Sequence, residues 1–320
     1  MRGFRYSLSQ LRMGIHWIKN HLRLLSLCGV WTLLLACLFA PTILAPRNVY
    51  RLMFVFDITQ SMNARDIREA GLPDDRLGYA KATVRRALHT LPCGSEVGLG
   101  LFTTQTVHFM FDPIEVCGHL SVIEDVLAHI DWRMAWSADT HVELGLYHAL
   151  REVLRKDPSM RLLFLTDGQE TPPLSMKPRY DGPIGEVKGT LIGVGGNQPV
   201  TVPRYDRDNN LLGPWENADI EKPPVSTTVY SEKVDVRTLP TEGPYLSWVD
   251  EAHLREVAAT TGLGYAHPTN GQEFEKALTA PDLSEVRNAL TDLRPFLGFA
   301  ALIGLLLGFA IEGRPVKLSA

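Results

Sequence analysis

The sequence predicts an α/β protein: a doubly wound, mostly parallel sheet, flanked by two transmembrane helices. Three observations predict it. Short apolar runs alternate with amphipathic segments at helical spacing, as expected for strands buried on both faces between helices. Two of those runs end at an aspartate, Asp57 and Asp167. Charge-free stretches at 24–45 and 296–311 stand near the two ends of the 320 residues, each close to the length a bilayer requires. With 45% hydrophobic and 21% charged residues, the composition excludes a collagen, a disulfide-dense miniprotein or a largely disordered chain.

Residues 1–23 form a basic tail carrying five Lys or Arg, and the first acidic residue of the chain is Asp57. The run that follows, 24–45, reads as a retained transmembrane helix with Pro41 near its outer end. A cleaved signal peptide is the competing reading, against which stand the long basic region and the length of the run. Residues 296–311 read as a second transmembrane helix rather than a buried core helix, because the segment is apolar all round and glycine-spaced. The positive-inside rule places residues 1–23 and 312–320, with Arg314 and Lys317, in the cytoplasm. The main domain then lies outside the inner membrane, in the periplasm of a Gram-negative cell. The basic ends leave residues 48–294 with a formal charge of −11, although the whole chain sums to −4. So acidic a body is not a nucleic-acid binder, which needs a basic surface.

Within the domain at 48–280, Val49–Phe56 reads as a strand stopped at Asp57. Leu77, Ala80, Val84, Leu88 and Leu91 mark a helix, followed by a hairpin at 97–111 that supplies an antiparallel edge. Helices are expected around Leu120–Leu127 and Val142–Val153, and a strand over Met160–Thr166 ends at Asp167. Val187–Val194 is a further strand, with Gly195-Gly196 as its closing turn rather than a nucleotide fingerprint. A helix at 252–260, a short strand at 264–267 and a helix from Phe274 complete the layer, and a linker helix is expected over 281–294. Residues 197–246 are rich in Pro, Asp, Asn and Gly and lack periodicity; they read as a long loop insertion, functional or partly disordered. Cys93 and Cys117 flank the hairpin region. Outside the cytoplasm they are a disulfide candidate; two reduced thiols are the alternative.

In open parallel sheets ligands bind beyond the carboxyl ends of strands. Three loops can converge there: Asp57-Ile58-Thr59-Gln60-Ser61, Ser137-Ala138-Asp139-Thr140 and Thr166-Asp167-Gly168. They offer carboxylates and hydroxyls, an all-oxygen set suited to Mg²⁺, Ca²⁺ or Mn²⁺ rather than zinc. His141 is the one histidine placed near them and reads as a supporting residue. Trp132 and Trp136 read as packing under these loops, with a partner-facing role as the alternative.

Asp57, Thr59 and Ser61, then Thr140, then Asp167, resemble the metal-ion-dependent adhesion site (MIDAS) of von Willebrand factor A domains, with Thr59 in place of the usual Ser. The resemblance implies a divalent cation, Mg²⁺ foremost, bound directly by Thr59 and Ser61. Thr140 and the two aspartates would bind directly or through water, and one position is left for an acidic residue of a protein partner. FDITQSMNARD, DWRMAWSADT and LFLTDGQETPPL also resemble the MxaL-type membrane-anchored proteins associated with methanol dehydrogenase maturation, including calcium insertion. That resemblance implies methanol dehydrogenase or another maturation factor as partner, and no enzymatic activity. The alternatives are a metal-assisted, phosphatase-like hydrolase, which lacks a placed general base, and a calcium carrier to the dehydrogenase.

Overall fold

The computed structural model describes residues 21–312 except Arg23, Ser175, Arg207, 221–229 and 234–241. The chain forms two compact units: Arg47–Arg287, and Met1–Pro46 with Asn288–Ala320. The basic tail at 1–20 and the residues after Glu312, on which the expected orientation rests, lie outside the described residues.

Within the larger unit, the part of strand β1 (Thr42–Asp57) from Leu52 to Phe56 alternates its side chains between two cores. Leu52, Phe54 and Phe56 pack with helices α2 (Arg76–Leu88), α3 (Val116–His129) and α6 (Gly271–Leu278). Met53 and Val55 pack on the other face with α4 (Val142–Lys156) and α5 (Glu251–Thr261). Burial on both faces is why this strand reads as an unbroken apolar run. Strands β2 (Glu96–Thr103) and β3 (Thr106–Glu115) form the expected antiparallel hairpin at the sheet edge. β4 (Arg161–Thr166), β6 (Gly189–Gly193) and β12 (Gly264–Ala266) add parallel strands on the other side, giving the order β12-β6-β4-β1-β2-β3. The order reverses at β1, so the crevice between β1 and β4 is a topological switch point. Phe56 pairs with Leu165 there, which sets Asp57 beside Thr166 and Asp167.

Cys93 and Cys117 are joined in a disulfide, with Cα atoms 5.3 Å apart, tying the loop before β2 to the start of α3.

The stretch 197–246 has more order than its composition predicts. β7 (Val200–Thr201) pairs with β11 (Leu246–Ser247) at its base, and β8 (Pro203–Tyr205) with β9 (Leu211–Pro214) in a hairpin. β10 (Tyr230–Lys233) pairs with β5 (Met176–Pro178). Strands of two to four residues are too short to leave a periodic signal.

Two expected helices are corrected. The first apolar run is helical over 24–38 only (α1), and residues 42–45 belong to β1. Pro41 lacks an N–H and disfavours helical geometry in the residue before it, so the helix stops. The linker expected to be helical over 281–294 is a 3-10 turn, Pro281–Leu283, followed by strand β13 (Ser284–Asp292). β13 pairs with β1, so an available strand partner overrides the local preference.

In the smaller unit α1 meets α7 (Arg294–Glu312) through glycines. A Cβ on Gly304 would lie 3.1 Å from Val30 Cγ2, and one on Gly308 2.8 Å from Ser26 Oγ, so the absent side chains set the approach of the two helices. Away from that seam the helices expose Trp31, Leu35, Leu38, Phe296, Phe299 and Leu306. Among the described residues no helix is long and apolar enough to cross a membrane. At its ends α7 carries Arg294 and Glu312.

Candidate functional site

The chain turns sharply as it leaves β1. Asp57 Oδ1 accepts hydrogen bonds from the Thr59 N–H at 2.9 Å and the Thr59 hydroxyl at 2.6 Å. This local turn leads into the 3-10 turn Gln60–Asn63, which carries Ser61 with its Oγ 3.4 Å from Thr59 Oγ1. Because Thr59 gives its proton to Asp57, the lone pairs of its oxygen remain available to an electrophile. From the neighbouring strand, Thr166 Oγ1 donates to Asp57 Oδ2 at 2.6 Å. Burial and then the charge of Asp167 push the Asp57 carboxyl up to about 7, against the hydrogen bonds from Thr166 and Thr59.

Asp167 is equally buried. Its Oδ1 accepts from Gln169 N–H at 3.1 Å, and its Oδ2 from Arg76 Nη1 at 2.7 Å and Ser247 Oγ at 3.0 Å. Gly168 makes the following turn with φ of 80°, where a Cβ would also strike Leu254 at 2.5 Å. Arg76, with no exposed surface, reaches Asp66 through Nε and Nη2 and donates to Ser247 Oγ at 2.6 Å. Two carboxylates, those of Asp66 and Asp167, thus share one guanidinium.

Thr140 enters from the loop before α4. Its N–H donates to the Thr171 carbonyl at 2.7 Å and its carbonyl accepts from Thr171 N–H at 2.9 Å, pinning this loop to the one after β4. The Thr140 hydroxyl is buried and has no hydrogen-bond partner among the described residues. Thr59, Ser61 and Thr140 line one cavity of about 420 Å³ together with Ser137 and Asp139. Asp57 and Asp167 do not line it; they hold the residues that do. The opposite wall is the 197–246 stretch, through Val202, Trp215, Asp219, Ile220 and Tyr245.

These residues fit a hard divalent cation. The donors are all oxygens, one hydroxyl is buried with no partner among the described residues, and the two buried aspartates repel each other, while the one arginine nearby bonds Asp167 and Asp66 but not Asp57. A bound cation would supply a positive charge able to take a ligand carboxylate. Elsewhere among the described residues, Cys93, Glu115 and Cys117 are the one group of three acidic, His or Cys residues close enough to share an ion, and both sulfurs are committed to the disulfide.

His141 lines the same cavity, and its Nδ1 is 3.1 Å from Glu170 Oε2, while Glu170 Oε1 accepts from Glu143 N–H. Beyond it, His253 Nε2 meets Glu143 Oε1 at 3.1 Å and Nδ1 the Gly168 carbonyl at 2.7 Å. Burial lowers the His253 pKa, but Glu143, Glu170 and the Gly168 carbonyl outweigh it and push it up to about 9. Trp132 packs against the core, whereas Trp136 is exposed, its ring 5.2 Å from His108. Gly193–Gly196 ends β6 as a turn, with Gly196 N–H donating to Asp66 Oδ2.

Sequence reasoning names Thr166 in the converging loops without its bond to Asp57, and it misses Arg76, Asp66 and Ser247, which set the charge and orientation of Asp167. An arginine in the first turn of an amphipathic helix reads as exposed, and Ser247 lies beyond the aperiodic stretch. Thr166 alone carried a signal, as the last residue of a strand beside the one that ends at Asp57.

Residues 52–169 match the family described as von Willebrand factor type A domain. No curated protein matches the chain. Among solved structures, the chain is similar to the conserved hypothetical protein BatB from Bacteroides thetaiotaomicron, with 17% identity and a TM-score of 0.48, over 72% of this chain and 96% of that one. It is also similar to an aerotolerance-related membrane protein from Bacteroides fragilis NCTC 9343, with 16% identity, 72% and 98% coverage and a TM-score of 0.46. A von Willebrand factor type A protein from Catenulispora acidiphila matches at 13% identity, over 80% of this chain and 44% of that one, with a TM-score of 0.39.

Proposed function

From the von Willebrand factor type A domain at residues 52–169, we propose a membrane-attached binding protein that holds a divalent cation and takes a carboxylate of a protein partner on it. The observation that carries this reading is the buried Thr140 hydroxyl, without a partner among the described residues, lining one cavity with Thr59 and Ser61, with Asp57 and Asp167 behind. Thr59, Ser61 and Thr140 would hold the ion, and the two aspartates would orient them and balance its charge. Mg²⁺ suits this oxygen set, with Ca²⁺ and Mn²⁺ as its competitors. The role is binding rather than catalysis. The exposed apolar faces of α1 and α7 are the membrane-attached part, embedded in the apolar layer without a described span. The motifs shared with MxaL-type proteins make methanol dehydrogenase, or a factor maturing it, the partner to test first.

Calorimetry with Mg²⁺ and Ca²⁺ on the full-length protein in detergent tests the site: saturable binding is expected, and Asp57→Ala should abolish it. Equal binding by wild type and variant would remove the assignment. Capture of the dehydrogenase by the immobilised protein should require the metal; capture that survives chelation, or no capture, would remove the proposed partner mechanism.

A further inference from the structure

An adhesion site that docks on a protein face needs its cation on open surface; here the candidate donors line a cavity of about 420 Å³, within the range of sites that enclose small ligands. Its outer wall is fixed. Trp215 N–H donates to the Val202 carbonyl at 2.9 Å, and Tyr245 N–H to the Trp215 carbonyl at 2.7 Å. The Tyr245 hydroxyl donates to Gln169 Oε1 at 3.0 Å and shares a 2.5 Å hydrogen bond with Thr171 Oγ1, fastening the wall to the loop after Asp167.

Three lining residues carry a buried polar atom with no partner among the described residues: Thr140 Oγ1, Asp139 Oδ1 and Trp215 Nε1. Buried polar groups of native proteins are nearly always satisfied, so each points to something that binds. The cation of the proposed function accounts for Thr140. It does not account for Trp215, whose indole N–H can only donate, while Asp139 Oδ1 can accept either the cation or an N–H donor. A ligand that also brings a carbonyl acceptor and an N–H donor satisfies both, and a peptide backbone has one of each per residue. Val202, Pro172 and Ile220 add an apolar lining for a neighbouring side chain.

Resting on the cation reading, we infer that this wall restricts the site to a single extended acidic peptide segment. Its carboxylate lies on the cation, a backbone carbonyl accepts from Trp215 Nε1–H, and a backbone N–H donates to Asp139. The specificity-determining residues are then Trp215 and Asp139, and the partner presents a loop or tail rather than a flat face.

The test uses full-length protein in detergent, labelled with 5-fluorotryptophan, whose six tryptophans give resolvable ¹⁹F signals; loss of one signal in Trp215→Phe assigns it. Acetyl-Gly-Asp-Gly-amide with Mg²⁺ should move the Trp215 signal, while the Asn counterpart, or the Asp peptide with chelator, should not. Glutarate, which has carboxylates but no amide, should bind more weakly. Trp215→Phe and Asp139→Ala should each weaken the peptide about five-fold, the loss of one hydrogen bond. Mg²⁺ titration of the wild type without peptide separates the two levels. If Mg²⁺ does not bind, the cation reading fails and this inference with it. If Mg²⁺ binds but the peptide leaves the Trp215 signal in place, or glutarate binds as well as the peptide and both variants bind it normally, the peptide inference alone is overturned.

Discussion

Replacing Arg76 by Met should be among the most damaging substitutions in the domain. The guanidinium has no exposed surface and bonds Asp66 at 2.6 and 3.0 Å, Asp167 at 2.7 Å and Ser247 at 2.6 Å. Met matches the apolar stem but leaves two buried carboxylates without a counter-ion. Removing one partner of a buried pair costs about 3–5 kcal/mol, and here one cation serves both anions. For a unit of this size, about 4 kcal/mol corresponds to a fall in Tm of roughly 8–16 °C. The assay is thermal unfolding in chelator, with Arg76→Lys beside it; a single ammonium cannot bridge both acids, so Lys should fall between. Adding Mg²⁺ supplies charge from outside. At a hundred times its Kd a ligand stabilises by about 2.7 kcal/mol, and the extra negative charge of the variant should make its recovery larger than the gain in wild type. An Arg76→Met protein within about 1 kcal/mol of wild type in chelator would refute the reasoning.

Other perturbations test other parts of the fold. The His253 pKa, raised to about 9, contributes stability that is complete below the unfolded value near 6.5 and is lost as pH rises through 9. Denaturant midpoints should therefore fall between pH 6.5 and 9 by an amount equivalent to at most about 3 kcal/mol, and His253→Gln should flatten that window; an unchanged slope would place the pH dependence elsewhere. Reduction of the Cys93–Cys117 disulfide, with a sequence separation of 24, should cost about 3.5 kcal/mol in the chain-entropy model, read from urea midpoints with and without a phosphine reductant. Gly304→Leu should part α1 from α7, because even its Cβ would lie 3.1 Å from Val30 Cγ2. Oxidative cross-linking of Ser26→Cys to Gly308→Cys, a position whose Cβ would lie 2.8 Å from Ser26 Oγ, with Cys28 and Cys37 replaced by Ser, should then be lost.

The fold was legible where burial leaves a pattern. β1 and β4 are buried on both faces and read as unbroken apolar runs; α4 shows its apolar stripe from Val142 to Val153, and the 97–111 hairpin is set by its central turn. The oxygen set was legible because Asp57, Thr59 and Ser61 are neighbours in sequence and Asp167 ends a strand. Legibility failed where tertiary partners decide. β13 is a strand because β1 offers it an edge, and α1 stops because Pro41 leaves one peptide without a donor. Arg76 follows Asp75, the residue that caps α2 by accepting from Gly78 N–H, so its position looks like an ordinary exposed first turn. Nothing local says that Asp66 and Asp167 lie opposite.

The same hydrogen bonds that orient the buried aspartate also hold the wall above it. Arg76 Nη1 donates both to Asp167 Oδ2 and to Ser247 Oγ, and Ser247 in turn donates to Asp167. Ser247 belongs to β11, which pairs with β7 to close the base of the 197–246 stretch, and Tyr245 fastens that stretch to Gln169 and Thr171. A shift of the wall therefore cannot leave Asp167 undisturbed: it must break a bond to the carboxylate, to the guanidinium or to the loop between them. Since Asp167 is also the charge that raises the Asp57 pKa, the wall, Arg76 and both aspartates form one electrostatic unit. A carboxylate entering the cavity meets a site whose charge and shape are set together, which is why the residues that choose the ligand and those that hold the cation must be tested in the same protein.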